Sequence, residues 1–335
     1  MSTQNREQKA PAIRSQIACA ASYLPARAVS NTELSHMVDT NDEWIVSRTG
    51  ISSRFVSTGE NTSAFGLAVC ERLLKKTGLP ASDIDLILVA TITPDYDTPS
   101  VACMIQGALG ASNAIAFDIN AACSGFLYGL SIADKMIRMG QCCNAIVIGA
   151  EVLSKVVDWA DRATCVLFGD GAGGVLLTAG EGSGILAEKL RADGTRAMAI
   201  HGGHRPVQSA FTQGEQDGRY LQMNGREIFD FATREVPRCI AEMLAAAGVS
   251  KDEVQWIVPH QANERIMQVV ARKLGISFSR FYVNIARVGN TSSASIPIAL
   301  AELLDSGQAA VGSGEMLVLA GFGGGLTWGS MLIQL

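Results

Sequence analysis

The chain has 335 residues, of which 48% are hydrophobic and 18% are charged. This composition, with 34 glycines, argues against disorder and favours an α/β protein with much buried sheet. The formal charge of -5 argues against broad electrostatic attraction to nucleic acid, so any anionic ligand must be bound by a local cationic group.

The first twelve residues are polar, and no segment has the roughly 18 apolar residues of a membrane span. We therefore expect a cytoplasmic protein without a membrane segment. The eight cysteines include no CxxC pair and no cluster with histidine at metal-ligand spacing, so no metal site is predicted. Most of these cysteines lie in apolar runs, and we expect them to be reduced and buried.

In the first half of the chain, predicted strands alternate with helices. The strand "SDIDLILVAT" precedes a helix ending in "ALG", the strand and helix of "AFDINAACSGFLYGLSIADKMIRMG", and the strands "NAIVIGAE" and "CVLFGDGAGGVLLTA". This order predicts a mostly parallel sheet covered by helices, with an antiparallel pair at its end. We interpret "FGDGAGG" as a turn, because it lacks the Lys-Ser/Thr of a phosphate loop. Residues 180–220 are predicted to form a loop-rich connection.

The second half repeats this order of elements. It contains "KDEVQWIVPH", a helix ending in "KLG", the segment "YVNIARVGNTSSASIPIALAELLDSG", and the strands "MLVLAGFGGG" and "LTWGSMLIQL". We predict two pseudo-symmetric α/β halves, 1–179 and 180–335, each with a mixed, mostly parallel sheet flanked by helices. The alternative is that generic α/β units resemble one another. If the halves pack about a pseudo-twofold axis, residues at the carboxyl ends of equivalent strands converge.

Cys123 is the candidate nucleophile. It precedes an apolar helical segment, so its sulfur is expected at a helix N-terminus, where the dipole and free N–H groups favour the thiolate. A thiolate attacks a thioester carbonyl, and a neighbouring backbone N–H can bind the oxyanion that results. Packing in the core is the alternative for a cysteine with apolar neighbours.

Two polar residues of the second half are expected to join it. His260 ends the first strand of that half, and Asn290 lies between a later strand and its helix, almost where Cys123 lies in the first half. A structural histidine and a helix N-cap are the respective alternatives. The glycines of "GFGGGLTWGS" either form a flexible hairpin or let backbone N–H groups approach a ligand.

Seven motifs, taken in order, resemble the β-ketoacyl-acyl-carrier-protein synthase III family, the initiating condensing enzymes of bacterial fatty-acid synthesis, which have the thiolase fold. The resemblance extends from about residue 16 to the end of the chain. The motifs are "DTNDEWIVSRTGI", "NAACSGF", "DRAT", "FGDGAGG", "VPHQAN", "GNTSSASIP" and "GFGGGLTWG".

The resemblance implies that acyl-CoA, a substrate rather than a cofactor, acylates Cys123. Malonyl-acyl-carrier-protein then loses carbon dioxide and attacks the acyl-enzyme. His260 and Asn290 would donate hydrogen bonds to the malonyl thioester oxygen during this step. The backbone N–H groups of Cys123 and Gly324 would form the other oxyanion hole, and Phe322 would help exclude water.

The resemblance also implies how the substrates bind. An indole face and guanidinium planes suit the adenine and phosphates of CoA, and an aromatic ring is retained in the pantetheine tunnel at Phe229. The implied CoA-binding residues are Trp44, Arg48, Arg162 and Asn263. The basic group Arg265, Arg272 and Lys273 is predicted either to dock the acidic carrier protein or to be a solvated helix face.

Two positions depart from the family pattern. Arg226 replaces an asparagine of the pantetheine tunnel, and Thr98 stands where a bulky gate residue is often found in a loop contributed by the partner of a homodimer. Acetyl is therefore the default acyl group, and branched or longer groups stay open. A specialised homologue with another acyl donor or acceptor in secondary metabolism is one alternative. A non-catalytic acyl- or carrier-binding homologue is another, although it would need no nucleophile.

Overall fold

The computed structural model describes residues 13–205, 207, 209, 211, 218 and 220–335. The described strands are β1 (Ile13–Tyr23), β2 (Arg27–Ser30), β3 (Ser53–Val56), β4 (Leu86–Ala90), β5 (Ile115–Ile119), β6 (Asn144–Glu151), β7 (Gly171–Glu181), β8 (Gly184–Ala192), β9 (Ile200–His201), β10 (Gln222–Met223), β11 (Val254–Pro259), β12 (Met316–Gly323) and β13 (Thr327–Gln334). The helices are α1 (Asn31–Leu34), α2 (Asp42–Thr49), α3 (Thr62–Thr77), α4 (Val101–Leu109), α5 (Gly125–Arg138), α6 (Gly225–Ala247), α7 (Glu264–Leu274), α8 (Ile285–Val288) and α9 (Ser295–Asp305).

Two larger sheets follow the same order of strands. The first has the order β1-β7-β6-β4-β5 and the second has the order β8-β13-β12-β11. In each sheet, central strands pair in parallel, and an antiparallel strand follows: β6 pairs with β7, and β12 with β13. Phe281 forms an isolated bridge to Ile257 of β11, on the side where β5 lies in the first sheet. The predicted mixed sheets flanked by helices are confirmed, but they are not mostly parallel, because β1 pairs antiparallel with β7 and β8 antiparallel with β13.

The helices and sheets form five layers. Helices α3 and α4 cover the outer face of the first sheet, and α6 covers the outer face of the second with α7 packed against it. Helices α5 and α9 lie between the sheets and contact strands of both. A helix in this position must be apolar on nearly all sides, and α9 is buried along most of its length. The turns that precede α5 and α9 therefore lie at the centre of the molecule.

The motif "FGDGAGG" is not only a turn, which corrects the sequence interpretation. Its glycines begin β7 at Gly171, and the strand packs directly against the backbone of α9. A Cβ added at Gly173 would lie 2.5 Å from the backbone nitrogen of Ile298. The glycines therefore allow a helix and a sheet to approach more closely than side chains would permit.

The predicted connecting loop contains a full strand, β8, and this is a second correction. The strand begins with the short apolar run at 185–187 but then carries Glu188, Lys189 and Arg191, so its local pattern is weak. It forms because it pairs with β13 near the end of the chain. The expected boundary between residues 179 and 180 falls within β7, which ends at Glu181. That boundary stays a prediction.

No helix in the described ranges is both long and apolar enough to cross a bilayer. The prediction made for the polar N-terminal segment concerns residues 1–12, which lie outside the described residues.

Candidate active site

Cys123 lies in a single turn of 3-10 helix, Ala122–Ser124, immediately before α5. Ala122 has a φ of 47°, in the left-handed region, and this conformation turns the chain sharply from β5 into the helix. The side-chain Oδ1 of Asn120 accepts a hydrogen bond from the backbone N–H of Ala122 at 3.2 Å. The sulfur is therefore at a helix start, as the sequence predicted, on a backbone whose strain must be held by its surroundings.

The end of β12 holds the Cys123 turn from the other side. A Cβ added at Gly323 would lie 2.5 Å from the backbone nitrogen of Cys123 and 3.0 Å from its Cβ. The neighbouring Gly324 faces Ala122, because a Cβ there would lie 3.5 Å from the Cβ of Ala122. Because Gly323 and Gly324 have no side chains, the backbone at the end of β12 lies directly against the turn that carries Cys123.

The thiol of Cys123 differs from the expected thiolate. Burial raises its pKa from 9.0 to about 12, a hydrogen bond from Ser292 opposes this rise, and the carboxyl group of Glu151 adds to it. A helix N-terminus contributes at most about 2 kcal/mol in favour of the thiolate. That is about half of the free energy that corresponds to this rise in pKa. Burial of the sulfur between the two halves therefore favours the neutral thiol, although part of the residue faces the cavity.

His260 follows β11 and is only 3% exposed. Its backbone N–H donates to the carbonyl oxygen of Ala320 at 2.7 Å, and its Nδ1 lies 2.6 Å from Oγ of Ser295 in the first turn of α9. Burial lowers the pKa of the imidazole to about 3, so the ring is neutral at neutral pH. The ring of Phe322 meets it edge to face, with 5.3 Å between centroids.

Asn290 is 6% exposed and is fixed by its backbone and by its side chain. Its N–H donates to the carbonyl oxygen of Leu167 at 2.9 Å, and its own carbonyl oxygen accepts from Gly169 N–H at 3.0 Å. The side-chain Oδ1 accepts from Ser292 N–H at 2.9 Å. Since Oδ1 is held in this way, the NH2 group of the amide faces away from the turn, and it donates to no acceptor within the described ranges.

The turns before α5 and α9 are equivalent in the two halves. Their pairing differs by three residues from the one suggested by the sequence, which placed Cys123 opposite Asn290. Ser292 has a φ of 51° and receives the Asn290 oxygen as Ala122 receives that of Asn120. In each half the second residue of this pair begins a 3-10 turn, and a central helix follows that turn. The equivalent of Asn290 is therefore Asn120, and the equivalent of Cys123 is Ser293.

One cavity of about 270 Å³ brings most of the candidate residues together. Its lining includes all three candidate reactive side chains and most of those assigned to the substrate tunnel. These are Cys123, His260, Asn290, Phe322, Gly324, Phe229, Arg48, Asn263 and Arg265. Sequence-distant residues therefore meet around one apolar space.

Trp44 and two arginines lie beside this cavity. The guanidinium carbon of Arg48 is 5.0 Å from the centroid of the indole ring, and that of Arg162 is 5.3 Å from it. Arg162 also donates to the carbonyl oxygen of Asp39 at 2.8 Å. The predicted group of indole and guanidinium planes is thus assembled, and Arg48 connects it to the cavity.

The segment after His260 has one end that lines the cavity and another end that is exposed on the surface of α7. The Oδ1 of Asn263 caps α7 by accepting from Arg265 N–H at 2.9 Å, and its Nδ2 donates to the carbonyl oxygen of Arg48 at 2.9 Å. The guanidinium of Arg265 lies 6.0 Å from the ring centroid of Phe229. Arg272 and Lys273 are exposed in the last turn of α7 and do not line the cavity.

The sequence analysis missed three residues around the reactive groups. Ser292 and Ser295 were quoted only within a motif, and Glu151 only as the last residue of a predicted strand. A lone carboxylate at the end of an apolar strand was the one available signal. Of the two departures, Arg226 is exposed at the start of α6, and Thr98 is exposed in the loop after β4.

Comparison with known proteins relates the whole chain to one group. Family models described as 3-oxoacyl-[acyl-carrier-protein (ACP)] synthase III and as its C-terminal part match residues 117–194 and 244–335. The β-ketoacyl-[acyl-carrier-protein] synthase III of Enterococcus faecalis is 51% identical over 321 residues, covering 96% of this chain and 98% of that protein.

Solved structures extend the likeness to the fold. The 3-oxoacyl-[acyl-carrier-protein] synthase III of Aquifex aeolicus superposes with a TM-score of 0.90 at 42% identity, covering 96% of this chain and 100% of that one. The priming β-ketosynthase of the R1128 polyketide biosynthetic pathway superposes with a TM-score of 0.88 at 36% identity, covering 98% of both chains.

Proposed function

This chain belongs to the β-ketoacyl-[acyl-carrier-protein] synthase III family, and from that premise we propose that its reaction runs through an acyl group carried on Cys123. The family reaction is the initiating condensation of an acyl-CoA with malonyl-acyl-carrier-protein, which gives 3-oxoacyl-acyl-carrier-protein, CoA and carbon dioxide. The observation that carries the proposal is the cavity in which Cys123, His260 and Asn290 meet. In the first half-reaction the Cys123 sulfur attacks the acyl-CoA carbonyl and CoA leaves.

The second half-reaction needs donors rather than a charged base. When the malonyl group loses carbon dioxide, negative charge accumulates on the thioester oxygen. The NH2 group of Asn290 is one donor, since Oδ1 is already used by Ser292 N–H. The Nε2 of His260 is the other, because Ser295 holds Nδ1 and burial keeps the ring neutral. Preorganised neutral donors stabilise such a charge without a cost of reorganisation.

The acyl carbonyl needs a separate oxyanion hole. The backbone N–H groups of Cys123 and Gly324 are the proposed donors, and the contact between the two turns at Gly323 supports this. Phe322 is 5% exposed beside His260, which supports a role in keeping water from the acyl-enzyme.

CoA binding would require a small opening between Trp44 and Arg162. An adenine between two flat groups needs two contacts of about 3.5 Å, or about 7 Å in total. The present distance of 5.3 Å is shorter, so the Arg162 side chain would swing outward and exchange its bond to Asp39 for the nucleobase. Arg48 would remain beside the phosphates, where the cavity opens.

Further parts of the proposal concern the acyl group and the partners. Acetyl is the default donor, no cofactor is required, and the protein acts as a cytoplasmic homodimer. An open groove of about 1040 Å³ shares the lining residues Ile92, Ala122, Ile200, Leu221 and Gly324 with the cavity. A partner subunit would close this groove, and longer or branched acyl groups would enter it. Arg265, Arg272 and Lys273 would dock the carrier protein.

The test of the nucleophile is direct. The protein is incubated with a panel of acyl-CoAs, and the mass added to each cysteine is measured by peptide mapping. We expect one acyl group on Cys123 with acetyl-CoA or another short donor. Absence of any adduct on Cys123 across the panel would refute the mechanism and leave the binding-only alternative.

The second half-reaction is tested with His260→Ala and Asn290→Ala. Both variants should still acylate Cys123 but release carbon dioxide from malonyl-acyl-carrier-protein at least about 100-fold more slowly, the usual cost of losing an oxyanion donor. Normal release from both variants would exclude the roles given to these side chains.

A second candidate function is priming in a specialised pathway. The likeness to the R1128 priming β-ketosynthase favours it. The same panel separates the two candidates, since a clear preference for an acyl-CoA other than acetyl, with a matching preference for another acceptor, would favour the specialised role.

A further inference from the structure

Glu151 is a fully buried carboxyl group at the centre of the molecule, and the reaction described above does not use it. It is the last residue of β6 and has no exposed surface. On one side, its Oε2 accepts from Thr93 Oγ1 at 2.7 Å and from Ile92 N–H at 3.1 Å. On the other side, its Oε1 accepts from two serines of the opposite half, Ser292 at 3.1 Å and Ser293 at 2.8 Å.

The carboxyl group is connected to the nucleophile through one of these serines. The turn Ala122–Ser124 packs against the turn Ser292–Ala294, and Ser292 and Cys123 line the same cavity. Ser292 opposes the rise in the pKa of the Cys123 thiol, as expected of a hydroxyl placed to donate to its sulfur. Ser292 therefore lies between a thiol and a carboxyl group, and its single O–H can be given to either of them.

The other serine allows Glu151 to exist with or without a proton. Ser293 has one hydroxyl hydrogen but two acceptors at 2.8 Å, the carbonyl oxygen of Ala90 and Oε1 of Glu151. When Glu151 is ionised, Ser293 can donate to it. When Glu151 is protonated, its O–H can donate to Ser293, which then donates to Ala90. Neither state leaves a buried polar atom of this group without a partner.

We propose that Glu151, acting through Ser292, accepts the proton of Cys123 while the thiol is acylated. This rests on the proposed function of Cys123 and deepens it. As the sulfur forms its bond to the acyl carbon, the S–H proton passes to Ser292 Oγ, and the proton of Ser292 passes to Oε1 of Glu151. When the C–S bond to CoA breaks, Ser292 gives a proton to the departing CoA sulfur and regains one from Glu151. The net transfer is one proton from Cys123 to CoA.

The electrostatic surroundings are consistent with this transfer. Burial raises the pKa of the Glu151 carboxyl, while hydrogen bonds from Thr93 and Ser293 oppose the rise, so the group is a stronger base than a solvated carboxylate. The cation that acts on it is Lys155, which also interacts with Asp95 and Asp170. The cavity that Cys123 lines also includes His260, which is neutral, and two arginines, Arg48 and Arg265.

The test measures how fast iodoacetamide alkylates Cys123 in the full-length protein as a function of pH. In the wild type, the rate should rise as Glu151 ionises and then reach a plateau. In Ser292→Ala and Glu151→Gln the thiol must lose its proton to water, so the rate at pH 7 should fall on the order of 100-fold and rise with pH without a plateau. Acylation by the best acyl-CoA should follow the same pattern.

Ser293→Ala is the matched control. It removes a hydrogen bond to Glu151 but lies outside the path to the sulfur. Because this hydrogen bond opposes the rise in the pKa of Glu151, its loss should move the plateau to higher pH, while the rate on the plateau stays that of the wild type. Equal profiles in Ser292→Ala and Ser293→Ala, or a wild-type profile in Glu151→Gln, would overturn the proposal. If Glu151→Gln does not fold, as judged by its thermal midpoint, the two serine variants decide. Because alkylation needs no acyl-CoA, failure of the wild type to form an acyl-enzyme would refute the proposed function separately.

Discussion

Replacement of Gly323 by alanine would displace the nucleophile without touching it chemically. The new Cβ would lie 2.5 Å from the backbone nitrogen of Cys123, whereas an ordinary contact begins at 3.4 Å. The end of β12 and the Cys123 turn must therefore move apart by about 0.9 Å. The Cys123 turn cannot absorb this locally, because Ala122 already has a left-handed conformation. A displacement of about 1 Å at a reacting group costs on the order of 100-fold in rate, or about 2.7 kcal/mol.

The assay is the rate at which acetyl-CoA acylates Cys123, followed by intact-protein mass spectrometry, together with the thermal midpoint. We expect Gly323→Ala to acylate about 100-fold more slowly. Gly107→Ala is the control, because a Cβ there meets nothing within 4 Å, and alanine in the interior of α4 should stabilise the helix by about 0.5–1 kcal/mol. Acylation of Gly323→Ala within about threefold of the wild-type rate would refute the argument that these backbones must touch.

Three further outcomes are expected. Burial lowers the pKa of His260 to about 3, against about 6.5 in the unfolded chain. Below pH 6.5 the unfolded state therefore binds a proton that the folded state does not, and the folded protein becomes less stable as the pH is lowered. His260→Gln should therefore lose less thermal stability than the wild type between pH 7 and pH 5. Arg162→Ala should raise KM for acyl-CoA about two- to fivefold, the worth of an exposed cation–π contact, whereas Arg72→Ala, which removes a similar contact to a tyrosine, should leave KM unchanged. Reversing charge at Arg272 and Lys273 should raise KM for malonyl-acyl-carrier-protein while acylation by acyl-CoA stays constant; an unchanged KM would mean that this is only a solvated helix face.

Local sequence patterns determined much of the fold. The apolar runs of β4, β6 and β11 predicted strands, since a strand buried on both faces needs little besides apolar side chains. The repeated order of elements predicted two matching sheets. Short motifs also marked Cys123, His260 and Asn290. Cys123 and His260 each follow a strand at the same edge of its sheet. Asn290 instead follows the short helix α8, because the strand expected before it forms only the isolated bridge at Phe281.

Only the tertiary structure decided the features that depend on contacts between distant segments. Strand β8 has only a weak local pattern, with charged residues after its first apolar residues, and its pairing with β13 fixes it as a strand. The thiol of Cys123 has a raised pKa, although its helix position favours a thiolate, because burial by both halves outweighs the helix N-terminus. The exact match between the halves, and the placement of Glu151 beside Ser292, follow from the packing of two turns against each other. Periodicity and spacing describe one segment at a time, whereas the chemistry of this site arises where the segments meet.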